Sequence, residues 1–180
     1  MKHRIYLLTL LALTLVPAAA GAVGIGLGAY GGLSLPILQG NAGNGSQFGL
    51  RFPVNLVPML TAEPFYARSA LGDVEEVLGG HTYTRSGPDV TAYGANLLLH
   101  LGGPVRFYPY GGIGSSTIKQ SGTPDVTETS YNLGVGVGFS PMPKIAIDAR
   151  GDLNSVMTGG TSRKFANLTV GVSYPLFSIP

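Results

Sequence analysis

Most of the chain alternates between apolar residues and residues that are polar or glycine, over segments of strand length. In segment 130–140, Tyr131, Leu133 and Val135 alternate with serine, asparagine and glycine, and segment 167–176 shows the same pattern. Successive side chains of a β-strand point to opposite faces of the sheet, whereas a helix repeats its apolar residues every three to four positions. The alternation therefore predicts an all-β fold.

Eight such segments follow one another, and the connections between them alternate between long and short. The predicted strands are 24–35, 47–55, 59–69, 90–101, 105–118, 130–140, 145–154 and 167–176. Long polar connections are expected at 36–46, 70–89, 119–127 and 158–164. A tilted strand needs roughly 9–11 residues to cross a bilayer. Short turns on one side and long loops on the other are typical of bacterial outer-membrane barrels.

The scarcity of charge indicates which face of the sheet meets which solvent. Charged residues make up 11% of the chain and hydrophobic residues 44%, whereas roughly 25% charge is usual in soluble domains. A soluble barrel would point its apolar face inward and place charge outside. We instead expect the apolar face to contact lipid and the polar face to line the lumen. Since lipid cannot satisfy backbone polar groups, the sheet must close. The prediction is a monomeric, eight-stranded, antiparallel up-and-down transmembrane β-barrel.

The predicted lumen face carries a small and balanced set of charges. Its six charged residues are Arg51, Glu63, Arg106, Asp148, Arg150 and Asp152. Buried charges need partners, and three arginines against three carboxylates can supply them. An eight-stranded barrel has room for side chains and little else. We therefore expect a structural network that plugs the lumen, with a gated ion path as the alternative.

The first 22 residues have the features of a secretory signal peptide. Lys2 and Arg4 give a positive start, and residues 5–16 are mostly apolar. Small residues allow cleavage after Ala20 or after Ala22, and Ala22 is preferred. A membrane anchor is the alternative, but about 20 apolar residues are needed to span a bilayer. We expect residues 1–22 to be removed and residues 23–180 to form the barrel domain.

Other functional classes find little support in the sequence. The chain has no cysteine, and its net charge of +2 is accounted for by Lys2 and Arg4, so no basic surface for nucleic acid is expected. Glycines 24, 26 and 28 lack the spacing of a dinucleotide fingerprint. His81 and His100 are too few for a metal site. We therefore predict no catalytic residue, no metal and no cofactor.

Three stretches resemble a known family. They are Phe107–Gly114, Asn132–Phe139, and the C-terminal residues Thr169, Gly171, Tyr174 and Leu176. The chain is similar to the small eight-stranded outer-membrane barrels, such as OmpX-type proteins and the OmpA transmembrane domain. This resemblance implies insertion into the lipid of the cell outer membrane. It also implies that the C-terminal residues are the signal read by the barrel-assembly machinery, although Pro175 interrupts that signal and the chain continues to Pro180.

The expected role is structural, or an interaction at the cell surface through four long loops and a partner that the sequence does not identify. A narrow channel or a transporter of small hydrophobic compounds is the first alternative. A soluble, exported ligand-binding barrel is the second. Some barrels of this size are lipid A-modifying enzymes that use serine and histidine, but neither His81 nor His100 lies in a motif of the required kind.

Overall fold

The computed structural model describes residues 23–37, 42–158 and 161–179, and this part of the chain forms twelve strands. The predicted signal peptide, residues 1–22, lies outside the described residues. No described helix is long and apolar enough to cross a membrane. The strands are β1 (Val23–Ile37), β2 (Gly43–Arg51), β3 (Val54–Val57), β4 (Leu60–Gly72), β5 (Val74–Leu78), β6 (His81–Arg85), β7 (Asp89–Leu99), β8 (Leu101–Gly102), β9 (Val105–Lys119), β10 (Val126–Met142), β11 (Ile145–Thr158) and β12 (Thr161–Ile179).

Ten of these strands close into a ring of eight positions. β3 continues β2 beyond Phe52 and Pro53, and β8 continues β7 beyond His100. The ring runs β1, β2/β3, β4, β7/β8, β9, β10, β11, β12 and back to β1, and each pairing is antiparallel. β1 pairs with β12 from Val23 opposite Ile179 to Ile37 opposite Lys164, which closes the barrel. The predicted eight-stranded antiparallel barrel is confirmed.

The strands are longer at the loop end than the sequence pattern indicates. β10 begins at Val126 instead of residue 130, β12 begins at Thr161 instead of 167, and β11 continues to Thr158. The connections expected at 119–127 and 158–164 are correspondingly shorter. The connection expected at 36–46 is shortened too, and residues 38–41 lie outside the described part. The simple alternation ends near these points, which is why the sequence pattern predicted strands that are too short at the loop end.

The longest connection, predicted as a loop at 70–89, contains a β-hairpin. β5 and β6 pair in register from Val74 opposite Arg85 to Leu78 opposite His81. Gly79 and Gly80 form the two-residue turn with φ values of 61° and 82°. A turn with two positive φ values favours glycine at both positions. The Gly-Gly pair between two strand-forming runs was the signal for this hairpin, which the prediction of a long connection did not include.

The two faces of the barrel have opposite character over its lower and middle part, where "lower" means toward the short turns. Outward residues are apolar and exposed, with Leu133 69% and Val170 61% accessible. Inward residues are polar and buried, with Arg51 1% and Glu63 2% accessible. Exposing an outer apolar belt of this extent to water is unfavourable, whereas contact with lipid tails is favourable.

The polarity reverses at the loop end of the strands. Here the outward positions include Asp89, Thr117 and Lys119, while the interior is filled by apolar side chains. This upper apolar cluster consists of Ala42, Leu71, Val90, Ile118, Val156 and Phe165. A sheet surrounded by water buries apolar residues inside, so the reversal indicates that the strands project beyond the lipid. One polarity was predicted for each face along its whole length, and this prediction does not hold at the loop end.

Candidate functional site

The centre of the lumen is crossed by a network of two arginines and two carboxylates. Arg150 donates to Glu63 through Nη1 to Oε1 at 2.5 Å and Nη2 to Oε2 at 2.8 Å. Arg51 donates to Asp148 through Nη2 to Oδ2 at 2.6 Å and Nη1 to Oδ1 at 3.1 Å. Arg150 Nε also lies 3.4 Å from Asp148 Oδ1. Because β4 and β11 are opposite positions of the eight-membered ring, the Arg150–Glu63 pair spans the lumen.

Tyrosine side chains surround these arginines. The Arg150 guanidinium lies 5.2 Å from the centre of the Tyr108 ring and 5.4 Å from that of Tyr110, and Arg51 lies 5.7 Å from the Tyr30 ring. Arg150 Nε also donates to the Tyr108 hydroxyl at 3.1 Å. These distances are within the range of cation–π attraction. The rings therefore cover the arginine faces that no carboxylate reaches.

Glycines on neighbouring strands make room for the tyrosines. A Cβ atom added to Gly134 would lie 2.5 Å from Tyr110 Cζ, and one added to Gly49 would lie 2.5 Å from Tyr30 Cζ. The sequence reading assigned glycine to the lumen and treated Tyr108 and Tyr110 only as part of a family motif. Tyr108 and Tyr110 lie two and four residues after Arg106 on the same strand, so they share its face. This spacing was the signal that they point inward.

Asp152 belongs to a second polar layer, nearer the loops. It accepts hydrogen bonds from the Tyr110 hydroxyl at 2.8 Å, from Asn167 Nδ2 at 2.9 Å and from Asn154. Asn132 donates to Asn96 at 2.8 Å, and Asn96 lies 3.4 Å from Glu63 Oε1, which links the two layers. Neutral donors rather than an arginine thus hold the Asp152 carboxyl group.

Arg106 lies apart from this network. Its Nη2 donates to Ser140 Oγ at 2.9 Å near the short-turn end, and among the described residues it forms no ion pair. The expectation of three arginines paired with three carboxylates therefore does not hold. Arg51 and Arg150 pair with Asp148 and Glu63, whereas Arg106 and Asp152 lie at different levels of the barrel. Alternation along each strand could assign these residues to the lumen face. It could not reveal their relative heights, because these depend on how the strands are offset along the barrel axis.

Two voids flank the central network. The larger, here called the vestibule, has a volume of about 530 Å³ and lies at the short-turn end. The smaller has a volume of about 40 Å³ and is lined by residues of the second polar layer. A void of that size can hold a water molecule, and the Gln47, Asn132 and Asn167 side-chain oxygens around it have no hydrogen-bond partner among the described residues. The upper apolar cluster packs above it.

The described residues contain no group of three or more His, Asp or Glu side chains placed to hold a metal ion. His81 is exposed on β6, and His100 lies at the vestibule with its ring 5.1 Å from the Tyr108 ring. The two histidines are thus at opposite ends of the molecule, and the structure does not bring them together.

The predicted assembly-signal residues lie on β12 where it pairs with β1. Thr169 and Gly171 point into the lumen, whereas Tyr174 and Leu176 are exposed on the outer face, at 45% and 46%. The pairing shifts register between Ile25 and Gly26, opposite Phe177 and Pro175. The strand thus accommodates Pro175 with a bulge and continues to Ile179.

Comparison with known proteins agrees with this architecture. A family model described as outer membrane protein beta-barrel domain matches residues 6–175. The chain belongs to this family. The protein is therefore an integral outer-membrane β-barrel, as the resemblance implied, and the alternative of a soluble exported barrel is not supported. Its apolar belt contacts outer-membrane lipid.

Solved structures with the same fold are distant in sequence. Neisserial surface protein A from Neisseria has a TM-score of 0.61 and 17% identity, covering 86% of this chain and 98% of its own. A major outer membrane protein from Thermus thermophilus has a TM-score of 0.61 and 14% identity, covering 86% and 100%. The N-terminal barrel of Pseudomonas aeruginosa OprF has a TM-score of 0.54 and 15% identity, covering 84% and 97%. No match was found among curated proteins.

Proposed function

We propose that this protein is a sealed, monomeric outer-membrane barrel that acts as a structural or surface-interaction element and carries out no catalysis. The central network carries the proposal. Arg150 and Glu63 join opposite walls of the lumen, and Arg51 and Asp148 fill the space beside them. Arg51, Glu63, Asp148 and Arg150 then serve a structural role, because ionised side chains held by partners inside the barrel obstruct passage.

The upper apolar cluster supports the same proposal. Val156 is fully buried and Phe165 is 6% accessible, so apolar side chains close the interior above the polar layers. Hydrated ions cross apolar constrictions poorly. Two barriers of different chemistry thus lie in series along the lumen.

A narrow channel is the second candidate, and the vestibule favours it because it opens the lumen as far as the Arg150–Glu63 pair. Conductance in planar lipid bilayers separates the two functions. A sealed barrel gives no current steps, and neutralising Asp148 or Arg150 does not create an ordered, ion-selective path. Steady unitary currents in the unmodified protein, altered in Asp148→Asn, would establish the channel instead.

The β5–β6 hairpin is the element that we propose for surface interaction. All five residues of β6, including Tyr83, are exposed, and the hairpin lies at the loop end of the barrel. An epitope tag inserted between Gly79 and Gly80 should be labelled by antibody on intact cells. The matched insertion between Gly102 and Gly103, in a short turn, should be labelled only after the cells are permeabilised. The reverse result would overturn the proposed orientation.

We also propose two roles in biogenesis. Residues 1–22 act as a signal peptide that is cleaved to leave the 23–180 barrel domain, and N-terminal sequencing of the membrane protein tests this. Thr169, Gly171, Tyr174 and Leu176 act as the signal for the barrel-assembly machinery. Tyr174→Ala should slow assembly in cells while leaving refolding in detergent intact, whereas equal effects on both would indicate a role in stability alone.

A further inference from the structure

The vestibule has the size of a ligand site. Its volume is about 530 Å³, within the range of roughly 300–1,000 Å³ that small-molecule pockets occupy. It opens at the short-turn end of the barrel, which in this family faces the periplasm. The proposed surface role of the loops makes no use of this cavity.

The charges around the vestibule do not cancel. Glu63 and Asp148 at its inner end are already held by Arg150 and Arg51. Arg106 and Lys144 also line it, and among the described residues neither of these two forms an ion pair. The cavity therefore has two cationic groups whose charge is not neutralised by a carboxylate.

The remaining lining combines apolar walls with polar side chains. Pro53, Val57 and Leu98 contribute apolar surface. His100 lines the same cavity, and its Nδ1 atom is buried without a hydrogen-bond partner among the described residues. Ser140 Oγ, which accepts from Arg106, also lines the cavity and has a hydroxyl hydrogen to donate. Buried polar groups are normally satisfied. A ligand in this space can accept a hydrogen bond from the Ser140 hydroxyl directly, whereas it reaches the buried His100 Nδ1 atom only after the imidazole ring rotates.

We propose that the vestibule binds a small organic anion from the periplasmic side, with a carboxylate or phosphate head and an apolar body. Arg106 and Lys144 bind the anionic head, Ser140 and His100 are within the same cavity for additional hydrogen bonds, and Pro53, Val57 and Leu98 contact the apolar body. The central network closes the inner end of the site, so the anion binds without crossing the membrane.

The test uses the mature chain folded in lipid nanodiscs, with benzoate, phenylphosphate, inorganic phosphate and neutral benzyl alcohol as probes. Calorimetric titration, corrected with empty nanodiscs, gives the affinity, and amide NMR shifts give the location. We expect saturable binding of benzoate or phenylphosphate, with shifts at Ser140 and Lys144. Whichever of the two binds more tightly identifies the head group.

Charge variants give the decisive comparison. Arg106→Gln and Lys144→Gln should each weaken binding about five- to tenfold, since charged hydrogen bonds contribute most to recognition of an anion. Lys119→Gln removes the same charge from the opposite end of the barrel, where Lys119 pairs with Asp125, and should leave binding unchanged. Heat-modifiable gel migration verifies that each variant is folded.

Three results would overturn the proposal. The first is absence of saturable binding. The second is equal affinity in the Arg106→Gln/Lys144→Gln double variant. The third is equal affinity for benzyl alcohol or inorganic phosphate, which would remove the anionic head or the apolar body from the recognition. The planar-bilayer result does not enter this test, so a conducting barrel and a binding vestibule are distinguished from each other.

Discussion

Removing Arg150 alone should destabilise the barrel far more than removing an arginine from its surface. Glu63 is 2% accessible, and in Arg150→Met it would lose both short hydrogen bonds and retain only Asn96 at 3.4 Å. Breaking a buried pair by deleting one partner costs about 3–5 kcal/mol, because the other charge stays buried without compensation. We expect a loss of this size in the free energy of unfolding.

Two further variants test the reasoning. Arg150→Met combined with Glu63→Gln leaves no unpaired charge and should recover at least half of the loss. Arg68→Met breaks the Arg68–Asp89 pair at 2.9 Å, whose side chains are 51% and 41% accessible, and exposed pairs contribute about 0–1 kcal/mol.

The assay is reversible urea unfolding in lipid vesicles, followed by gel migration and tyrosine fluorescence. If Arg150→Met costs no more than Arg68→Met, or if the double variant costs the sum of its singles, the network does not stabilise the barrel as described.

Three other predictions use the same assay. Gly134→Val should cost about 1–3 kcal/mol by overpacking against Tyr110. Gly103→Val, at a site where no described atom lies within 4 Å of the added Cβ, should cost less than about 0.5 kcal/mol; equal losses would refute the packing of Tyr110 against Gly134. Phe165→Ala should cost about 3–5 kcal/mol by opening a cavity in the upper apolar cluster, and a loss below about 1 kcal/mol would mean that this end is not packed. Leu133→Lys should cost about 2–4 kcal/mol in the lipid belt, while Thr127→Lys, on the projecting part of β10, should be nearly neutral; similar values would contradict the proposed membrane boundary.

The number of strands, the antiparallel order of the strands and the lipid-facing side of the sheet were predictable from the sequence, because each depends on a local pattern. Leu133, Val135 and Val137 alternate with glycines, which places the apolar side chains on one face, and the scarcity of charge indicates that this face points outward. The alternation of long and short connections then fixes the up-and-down order. The pattern failed where the solvent changes along one strand, as at Ile118 and Phe165, because the inward residue there is apolar.

The sequence predicted which charged residues face the lumen, but it did not predict which of them pair with one another. Arg51, Glu63, Asp148 and Arg150 were assigned to the lumen by parity, and the structure brings these four together. Their partners depend on the stagger of β4 against β11, 87 residues apart in the chain for the Arg150–Glu63 pair. The alternation along a strand gives the face of each residue, but it carries no information on the offset between β4 and β11. It also could not reveal that Arg106 lies at the vestibule, where its charge has no carboxylate partner among the described residues.

Cysteine accessibility tests most directly whether the lumen is sealed. The chain has no native cysteine, so Ser140→Cys at the vestibule and Ser116→Cys, which is 1% accessible between the two barriers, can be labelled without background. A charged thiol reagent is added to oriented proteoliposomes from one side at a time. A sealed barrel predicts that Ser140→Cys reacts only from the short-turn side and that Ser116→Cys reacts from neither side. Rapid labelling of Ser140→Cys from the loop side would contradict the account.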